Sequence, residues 1–158
     1  MIERTELSAE HAELDVLAER LIRQVTQPGG PDSDLASIRW RLNHVLMVHL
    51  AKEDRHLYPQ LQNCGEARVQ ALAKRFADEM GNLAEEYLAY TNEWTAQKIA
   101  GDARGFSTAT LSVMRALRQR ILREERDLYP MIGIANRDAM PSPPAERPQP
   151  IISASMAP

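Results

Sequence analysis

Apolar residues recur three and four positions apart over most of the chain, which is the spacing of one face of an α-helix. Leu14, Ala18 and Leu21 illustrate the first of four such stretches, and glycine and proline residues interrupt the pattern between them. The spacing predicts helices over 8–26, 34–62, 66–100 and 106–130. No stretch alternates apolar and polar residues in the manner of a half-buried strand. We therefore predict an all-α fold, an antiparallel up-down four-helix bundle.

The composition changes near the end of the chain. From Ala135 onward the sequence is rich in proline, serine and alanine, and the helical periodicity ends. Such a segment buries too little apolar surface to offset the entropy of ordering it. We predict a bundle over 1–134 and a disordered Pro-rich tail over 135–158.

Polar residues occupy four positions on the inward faces of the predicted helices. His11 lies on the apolar stripe of the first helix, and Glu124 lies on that of the fourth. His49 and Glu53 lie one helical turn apart on the stripe of the second helix, so their side chains share a face. Burial of a charged carboxylate requires a partner or a metal ion. These residues are therefore candidates for a buried polar or metal site.

The second and fourth helices contain two copies of one motif. The segment 49–59 ends in Leu-Tyr-Pro, and so does the segment 120–130, with a glutamate and a following acid in the same register. Glu53 thus matches Glu124, but His49 is replaced by Arg120. The first and third helices align in the same way, with Met80 opposite His11. The chain reads as a duplicated helical hairpin whose second copy has lost its histidines.

With these motifs the chain resembles the hemerythrin-like family, also called the HHE cation-binding family, over about residues 8–132. The resemblance implies a four-helix bundle that encloses two irons, each held by histidines of one hairpin and bridged by two glutamates. It also implies activities such as reversible dioxygen binding, oxygen or nitric oxide sensing, iron handling and repair of damaged iron centres.

Carried over residue by residue, the resemblance implies that His11, His49, Glu53 and Glu124 are metal ligands. Two further ligand positions carry other residues. An arginine cannot be deprotonated in a protein and so cannot bind a metal ion, and methionine is a soft ligand that suits Cu(I). The sequence therefore predicts at most one bound metal ion, iron or alternatively zinc or manganese, and leaves open that none is bound.

Arg120 offers a substitute for the second metal ion. Its permanent charge lies one turn before Glu124 on the same face, and a guanidinium binds carboxylates through a two-point fork. We hypothesise that Arg120 occupies the space of the lost cation and holds both Glu53 and Glu124. The cluster then either keeps one metal ion or is a closed, metal-free polar network.

Several other residues receive structural interpretations. Tyr87 and Tyr90 are predicted in the core, and His44 is predicted on the surface. A solvated face is expected to contain charged residues paired along the helix (Lys52, Asp54, Arg55, Glu125 and Arg126). His56 and Asp127 lie at equivalent positions near the bundle end, where a cross-helix ion pair is expected. Pro59 is predicted to bend the second helix or to end it early.

Composition excludes several classes of function. The 158 residues have a formal net charge of −3, without the basic excess of a nucleic-acid-binding protein. No apolar run approaches the roughly 20 residues that a membrane span requires. The amino-terminal residues lack the basic-then-apolar order of a signal peptide, and the single cysteine, Cys64, cannot form an internal disulfide. We predict a cytoplasmic protein with no nucleic-acid or membrane partner.

Two kinds of function fit these observations. The first is a metal-binding protein that senses a metal ion or a small diatomic ligand, oxygen or nitric oxide, in a bacterial-type stress or sensing role. The alternative is a metal-free bundle that acts as a protein-interaction or regulatory module. A conventional enzyme ranks below both, because the sequence contains no nucleophile with its base, no phosphate-binding loop and no cofactor fingerprint.

Overall fold

The computed structural model of the chain describes residues 3–138, with only the backbone of Met80, Gly81 and Asp138. The chain forms seven α-helices and two π-helical turns over this range. In chain order these elements are α1 (Arg4–Thr26), α2 (Leu35–Lys52), π1 (Glu53–Leu57), α3 (Tyr58–Gln62), α4 (Ala67–Glu93), α5 (Ala96–Gly101), α6 (Ala103–Arg123), π2 (Glu124–Leu128) and α7 (Pro130–Asp138). Residues 3–138 contain no strand, which confirms the predicted all-α fold.

Four long helical segments make the bundle. One is α1, the second is α2 continued through π1 and α3, the third is α4, and the fourth is α6 continued through π2 and α7. The helix α1 packs against α2 and α6, while α4 packs against α3 and α6. The two copies of the repeated motif thus lie in the second and fourth segments, where their inward faces can meet. No helix in the described range combines the length and the apolarity needed to cross a membrane.

Two apolar clusters fill the interior. One surrounds Leu14, Leu42 and Phe106, and it includes Tyr87 and Tyr90, which confirms their predicted place in the core. The other contains two leucines that precede the motif tyrosines, and the tyrosines themselves (Leu57, Tyr58, Leu128 and Tyr129). The buried polar side chains include His11, which lies on α1 between Leu7 of the second cluster and Leu14 of the first. The polar site is therefore enclosed by apolar surface.

Each π-helical turn begins at one of the repeated glutamates. The backbone N–H of Tyr58 donates to the carbonyl of Glu53, and that of Tyr129 donates to the carbonyl of Glu124 at 2.8 Å. Each bond spans five residues rather than the four of an α-helix. Proline follows at once and takes the first turn of a new helix, where no N–H is required. The predicted bend at Pro59 is therefore a wide turn placed before the proline.

Several helix boundaries differ from the prediction. The first helix begins at Arg4 rather than at residue 8, and Ser8 lies inside it, where its hydroxyl donates to Glu125 Oε2 at 3.0 Å. The third helix ends at Glu93, and Thr95 caps a new helix by accepting from the backbone N–H of Lys98. The fourth segment begins at Ala103 and, through α7, runs to Asp138, past the predicted helix end at residue 130, and Ala135 is buried. The rest of the predicted tail, 139–158, lies outside the described residues.

Candidate metal centre

The four predicted ligand residues lie together inside the bundle. One ligand atom from each of His11, His49, Glu53 and Glu124 lies within 4.8 Å of all the others. All four side chains are buried, with at most 2% of each residue exposed. The structure thus brings together every residue that the sequence singled out as a ligand, although their role in metal binding stays a prediction.

Different elements place the four side chains. His11 comes from the first half of α1, and His49 comes from the last turn of α2. Glu53 and Glu124 are the first residues of π1 and π2. In each motif the wide turn therefore starts at the carboxylate that enters the site. Single π turns inside α-helices are frequent at functional sites.

Two carboxylates at the edge of the site hold the imidazole rings. His11 Nδ1 lies 2.9 Å from Glu125 Oε1, and His49 Nδ1 lies 2.9 Å from Glu10 Oε2. Lys52 in turn donates to Glu10 and to Glu6 across the α1–α2 interface. The prediction that Glu125 and Lys52 form only a solvated face is therefore wrong. Each of these residues lies beside a ligand position in the sequence but makes its contact with another helix, which single-helix periodicity does not reveal.

These contacts determine which ring nitrogens face inward with a lone pair. An ionised carboxylate only accepts hydrogen bonds, so each Nδ1 carries the ring proton and donates it. In the neutral rings the two Nε2 atoms carry no proton, and His11 Nε2 lies 3.1 Å from His49 Nε2 and 3.2 Å from Glu124 Oε2. Two lone pairs at this distance require a positive charge beside them, which either an extra proton or a metal ion supplies. Carboxylates that orient histidines in this way are typical of metal sites.

Tyr129 is a site residue that the sequence interpretation missed. Its hydroxyl donates to Glu53 Oε1 at 3.0 Å and lies 3.1 Å from His11 Nε2. Its ring also stacks on the His11 imidazole, with 4.9 Å between the ring centroids. The available signal was the repeated Leu-Tyr-Pro ending, since a tyrosine five residues after each glutamate has no place on an α-helical stripe but returns to the same face after a π turn.

Arg120 lies in the core, but it does not hold both glutamates. Its Nε donates to Glu124 Oε1, and its Nη2 donates to the Tyr58 hydroxyl at 2.8 Å and to the Phe76 carbonyl at 2.9 Å. The guanidinium lies over the Phe76 ring, 4.7 Å from its centroid. Glu53 receives its hydrogen bond from Tyr129 instead. The prediction that Arg120 binds both carboxylates is therefore correct for Glu124 and wrong for Glu53, because Arg120 Nη2 donates to Tyr58 and Phe76 instead.

The arginine is connected to the surface through α4. Arg120 Nη1 lies 3.6 Å from Glu79 Oε2, and Arg123 Nη2 lies 2.7 Å from the same oxygen. Glu79 is part-buried, with 37% of its side chain exposed. The neighbouring residue Met80, which aligns with His11 in the repeat, has its side chain outside the described residues. The second half of the site thus contains a guanidinium held by carboxylates on both sides.

The two buried glutamates have opposite pKa shifts. Burial, followed by the charge of Glu124, raises the pKa of Glu53 well above its usual value. Burial also opposes ionisation of Glu124, but the hydrogen bond with His11 and the charge of Arg120 outweigh it and lower the pKa of that carboxyl. Burial and the nearby His11 lower the pKa of His49. Glu124 is therefore the carboxylate that Arg120 keeps charged, while Glu53 readily holds a proton.

The remaining predicted contacts lie outside the cluster. Asp127 accepts a two-point hydrogen bond from its neighbour Arg126, at 2.7 and 2.8 Å, in place of the predicted pair with His56. His44 is exposed and stacks on Trp40, which confirms its surface position.

Sequence comparison agrees with this architecture. The model of the hemerythrin HHE cation binding domain matches residues 4–132, a range that includes the first three long segments, the fourth as far as Ile132, and every residue of the cluster. The chain belongs to the hemerythrin HHE cation-binding family. Among the curated proteins and among the solved structures, nothing matches the chain significantly.

The donor atoms of this hemerythrin domain fit one metal ion. Two imidazole nitrogens and two carboxylates converge, and Glu53 Oε2 is buried without a hydrogen-bond partner among the described residues. A buried carboxylate oxygen without a partner is costly unless a cation is beside it. The half of the domain that would hold a second ion carries Arg120 instead, whose charge repels a cation.

The outer carboxylates of the domain should affect metal binding without touching the metal ion. Replacing Glu10 by glutamine removes the charged acceptor of His49 Nδ1, so we expect metal affinity to fall about 10–100-fold. Competition with a chromogenic chelator measures this change. Glu13→Gln is the matched control, since Glu13 lies on the same helix and pairs at the surface with Arg41. Equal affinities for the two variants would contradict a positioning role for Glu10.

Proposed function

We propose that this hemerythrin-family protein binds a single non-haem metal ion through His11, His49, Glu53 and Glu124. The observation that carries the proposal is the convergence of one ligand atom from each of the four residues within 4.8 Å, with the two Nε2 atoms 3.1 Å apart. Glu53 also has a buried oxygen without a hydrogen-bond partner among the described residues, and a cation would compensate for both features. Because Glu10 and Glu125 already hold each Nδ1, the imidazoles are oriented for a ligand role before any ion arrives.

Iron is the metal that we propose, with zinc and manganese as alternatives. Two imidazoles and two carboxylates form a mixed nitrogen and oxygen donor set, which suits all three ions. The absence of a thiolate among the four ligands argues against a Cu(I) site. Membership of the hemerythrin family favours iron among the three.

A bound ferrous ion would supply an attachment point for a small diatomic ligand such as oxygen or nitric oxide. The residues around it have separate tasks. Tyr129 places one hydroxyl proton between Glu53 Oε1 and His11 Nε2, where it can donate to a bound molecule or to the carboxylate. Arg120 keeps Glu124 ionised through its Nε–H. The two apolar clusters exclude bulk water from the site.

With this arrangement we propose a role in sensing a small gas or a metal ion rather than in dioxygen carriage by two irons. Support comes from Arg120, which stands where the repeat places the counterpart of His49 and which hydrogen-bonds Glu124, Tyr58 and Phe76. A cytoplasmic, stress-related setting stays a prediction and has the lone Cys64 thiol in its favour.

Metal stoichiometry tests this function directly. Protein purified without chelator and loaded anaerobically with ferrous iron should contain about one iron per chain by elemental analysis, because the described residues provide one set of four ligands. Two equivalents in the core would contradict the proposed place of Arg120. No bound metal in a well-folded bundle would favour the alternative function.

The alternative is a metal-free bundle that acts as a protein-interaction module. An exposed apolar surface on α2 and α4 favours it: Trp40 is 67% exposed, Leu88 is 44% exposed, and both line one surface cleft. Large apolar side chains at the surface are typical of sites where proteins associate. Under this alternative the Arg120–Glu124 pair is what remains of a former metal site, and its present role is to stabilise the fold.

A further inference from the structure

A second candidate site lies on the outside of the bundle, between α4 and the π2–α7 segment. Here a cleft of about 760 Å³ is lined by three arginines, Arg68, Arg75 and Arg126, and by apolar side chains that include Leu72 and Met131. We call it the arginine cleft. Its volume is within the range of roughly 300–1,000 Å³ that small-molecule sites occupy. None of these residues belongs to the metal centre.

The arginine cleft has an excess of positive charge on a chain whose net charge is negative. Asp127 is the acidic residue that lines it, and Arg126 already binds that carboxylate at 2.7 and 2.8 Å. Arg75 lies 4.0 Å from its nearest carboxylate, Glu79, and 61% of its side chain is exposed. Within the described part of the chain, Arg68 is exposed and has no carboxylate at ion-pair distance. Two guanidiniums therefore have donors available for an anion.

We propose that the arginine cleft binds an organic phosphate. The planar guanidinium fork matches two phosphoryl oxygens, so Arg68 and Arg75 take the phosphate group. The apolar part of the ligand lies on Leu72 and Met131, which a free inorganic anion would leave uncovered. A concave site of this volume fits a small molecule. An acidic protein would need a wider contact surface, because a typical protein interface buries about 800 Å² on each partner.

Calorimetric titration of the full chain with ADP and with pyrophosphate tests the proposal. ADP should bind, and Arg68→Gln and Arg75→Gln should each weaken it about tenfold or more, since each removes a charged two-point contact. Pyrophosphate should bind more weakly than ADP because it has no nucleoside to cover the apolar side chains of Leu72 and Met131. Raising the salt concentration should weaken both ligands.

Matched variants separate a site from general attraction to arginine. Arg104→Gln removes the same charge from an exposed position on α6, outside the cleft, and should leave ADP affinity unchanged. Ala71→Glu puts an anion into the cleft and should abolish binding. Ala89→Glu makes the same substitution about 27 Å further along the same helix and should not. Both alanines are exposed, so neither change disturbs the core, and circular dichroism checks the fold.

Three results would overturn the proposal. One is the absence of ADP and pyrophosphate binding at millimolar concentration. Another is an equal loss of affinity in Arg104→Gln and Arg75→Gln, which would indicate non-specific attraction. The third is Arg68-dependent binding of a hexaglutamate peptide that is tighter than that of ADP, which would assign the cleft to an acidic polypeptide. Since none of these measurements needs a bound metal ion, the outcome is independent of the proposed metal centre.

Discussion

Replacing Arg120 by alanine is expected to lower the free energy of unfolding of the metal-free bundle by about 3–5 kcal/mol. The guanidinium is 7% exposed and its carboxylate partner Glu124 is almost fully buried, so the variant leaves a buried charge without compensation. It also leaves the Tyr58 hydroxyl and the Phe76 carbonyl without their donor. Urea unfolding followed by circular dichroism measures the loss.

Arg118→Ala is the matched control for this prediction. Arg118 also lies on α6 and binds an aspartate, Asp15, at 2.6 Å, but both side chains are more than 40% exposed. Exposed pairs contribute at most about 1 kcal/mol, so the control should cost far less. The double variant Arg120→Ala/Glu124→Gln should recover part of the loss, because it removes the uncompensated charge. A cost for Arg120→Ala no larger than that of Arg118→Ala would mean that Arg120 does not stabilise the core.

Replacing His49 by alanine is expected to abolish metal binding. The residue supplies one of four converging ligand atoms, and no other imidazole in the described cluster is available to replace it. The loss of affinity should therefore exceed the roughly 100-fold effect that removal of an outer partner can have. Elemental analysis after anaerobic loading should fall from about one iron per chain to almost none, with the helical content retained.

His44→Ala controls for histidines that bind metal at the surface. His44 lies on the same helix, but its side chain is exposed and stacks on Trp40. This variant should keep about one equivalent of iron. If instead His49→Ala retains the metal of the original chain, then the bound ion lies elsewhere and the assignment of the four ligands is wrong.

Much of the fold could be predicted because helical periodicity is a local property of the sequence. The apolar spacing indicated all four long segments, and the polar residues that interrupt it identified His11, His49, Glu53 and Glu124. The repeat then predicted which segments would carry equivalent faces. Each of these inferences needs only residues within one or two turns of one another.

Contacts between helices could not be predicted in the same way. Glu10 and Glu125 lie next to His11 and Glu124 in the sequence, but each reaches a histidine on another helix. Tyr129 reaches Glu53 from the opposite hairpin. These pairings depend on how two helices are rotated and shifted relative to each other, and on the π turns. The apolar spacing along one helix contains no information on either.

Helix ends were harder to predict than helix faces. The break after Glu93 falls in a sequence without glycine or proline, where Thr95 offers its side chain as a new cap. Apolar spacing continues through this point, so the pattern alone favoured one long helix. At the end of the described chain the reverse occurs, since Ile132 and Ala135 are buried and extend the helix into a segment of changing composition.

The two wide turns determine how the length of this chain can change. Each turn contains one residue more than an α-helix needs to bring Tyr58 or Tyr129 back to the face of the preceding glutamate. Removing one residue between Glu53 and Tyr58 would leave an ordinary α-helical spacing of four residues and keep α3 on its present face. Removing a second residue would rotate α3 by about 100° and carry Leu61 out of the interior. A deletion in the loop before α2, where Gly29 and Gly30 have positive φ, changes no such alignment. The loop should therefore tolerate changes of any small length, whereas each glutamate-to-tyrosine segment should tolerate the loss of one residue and no more.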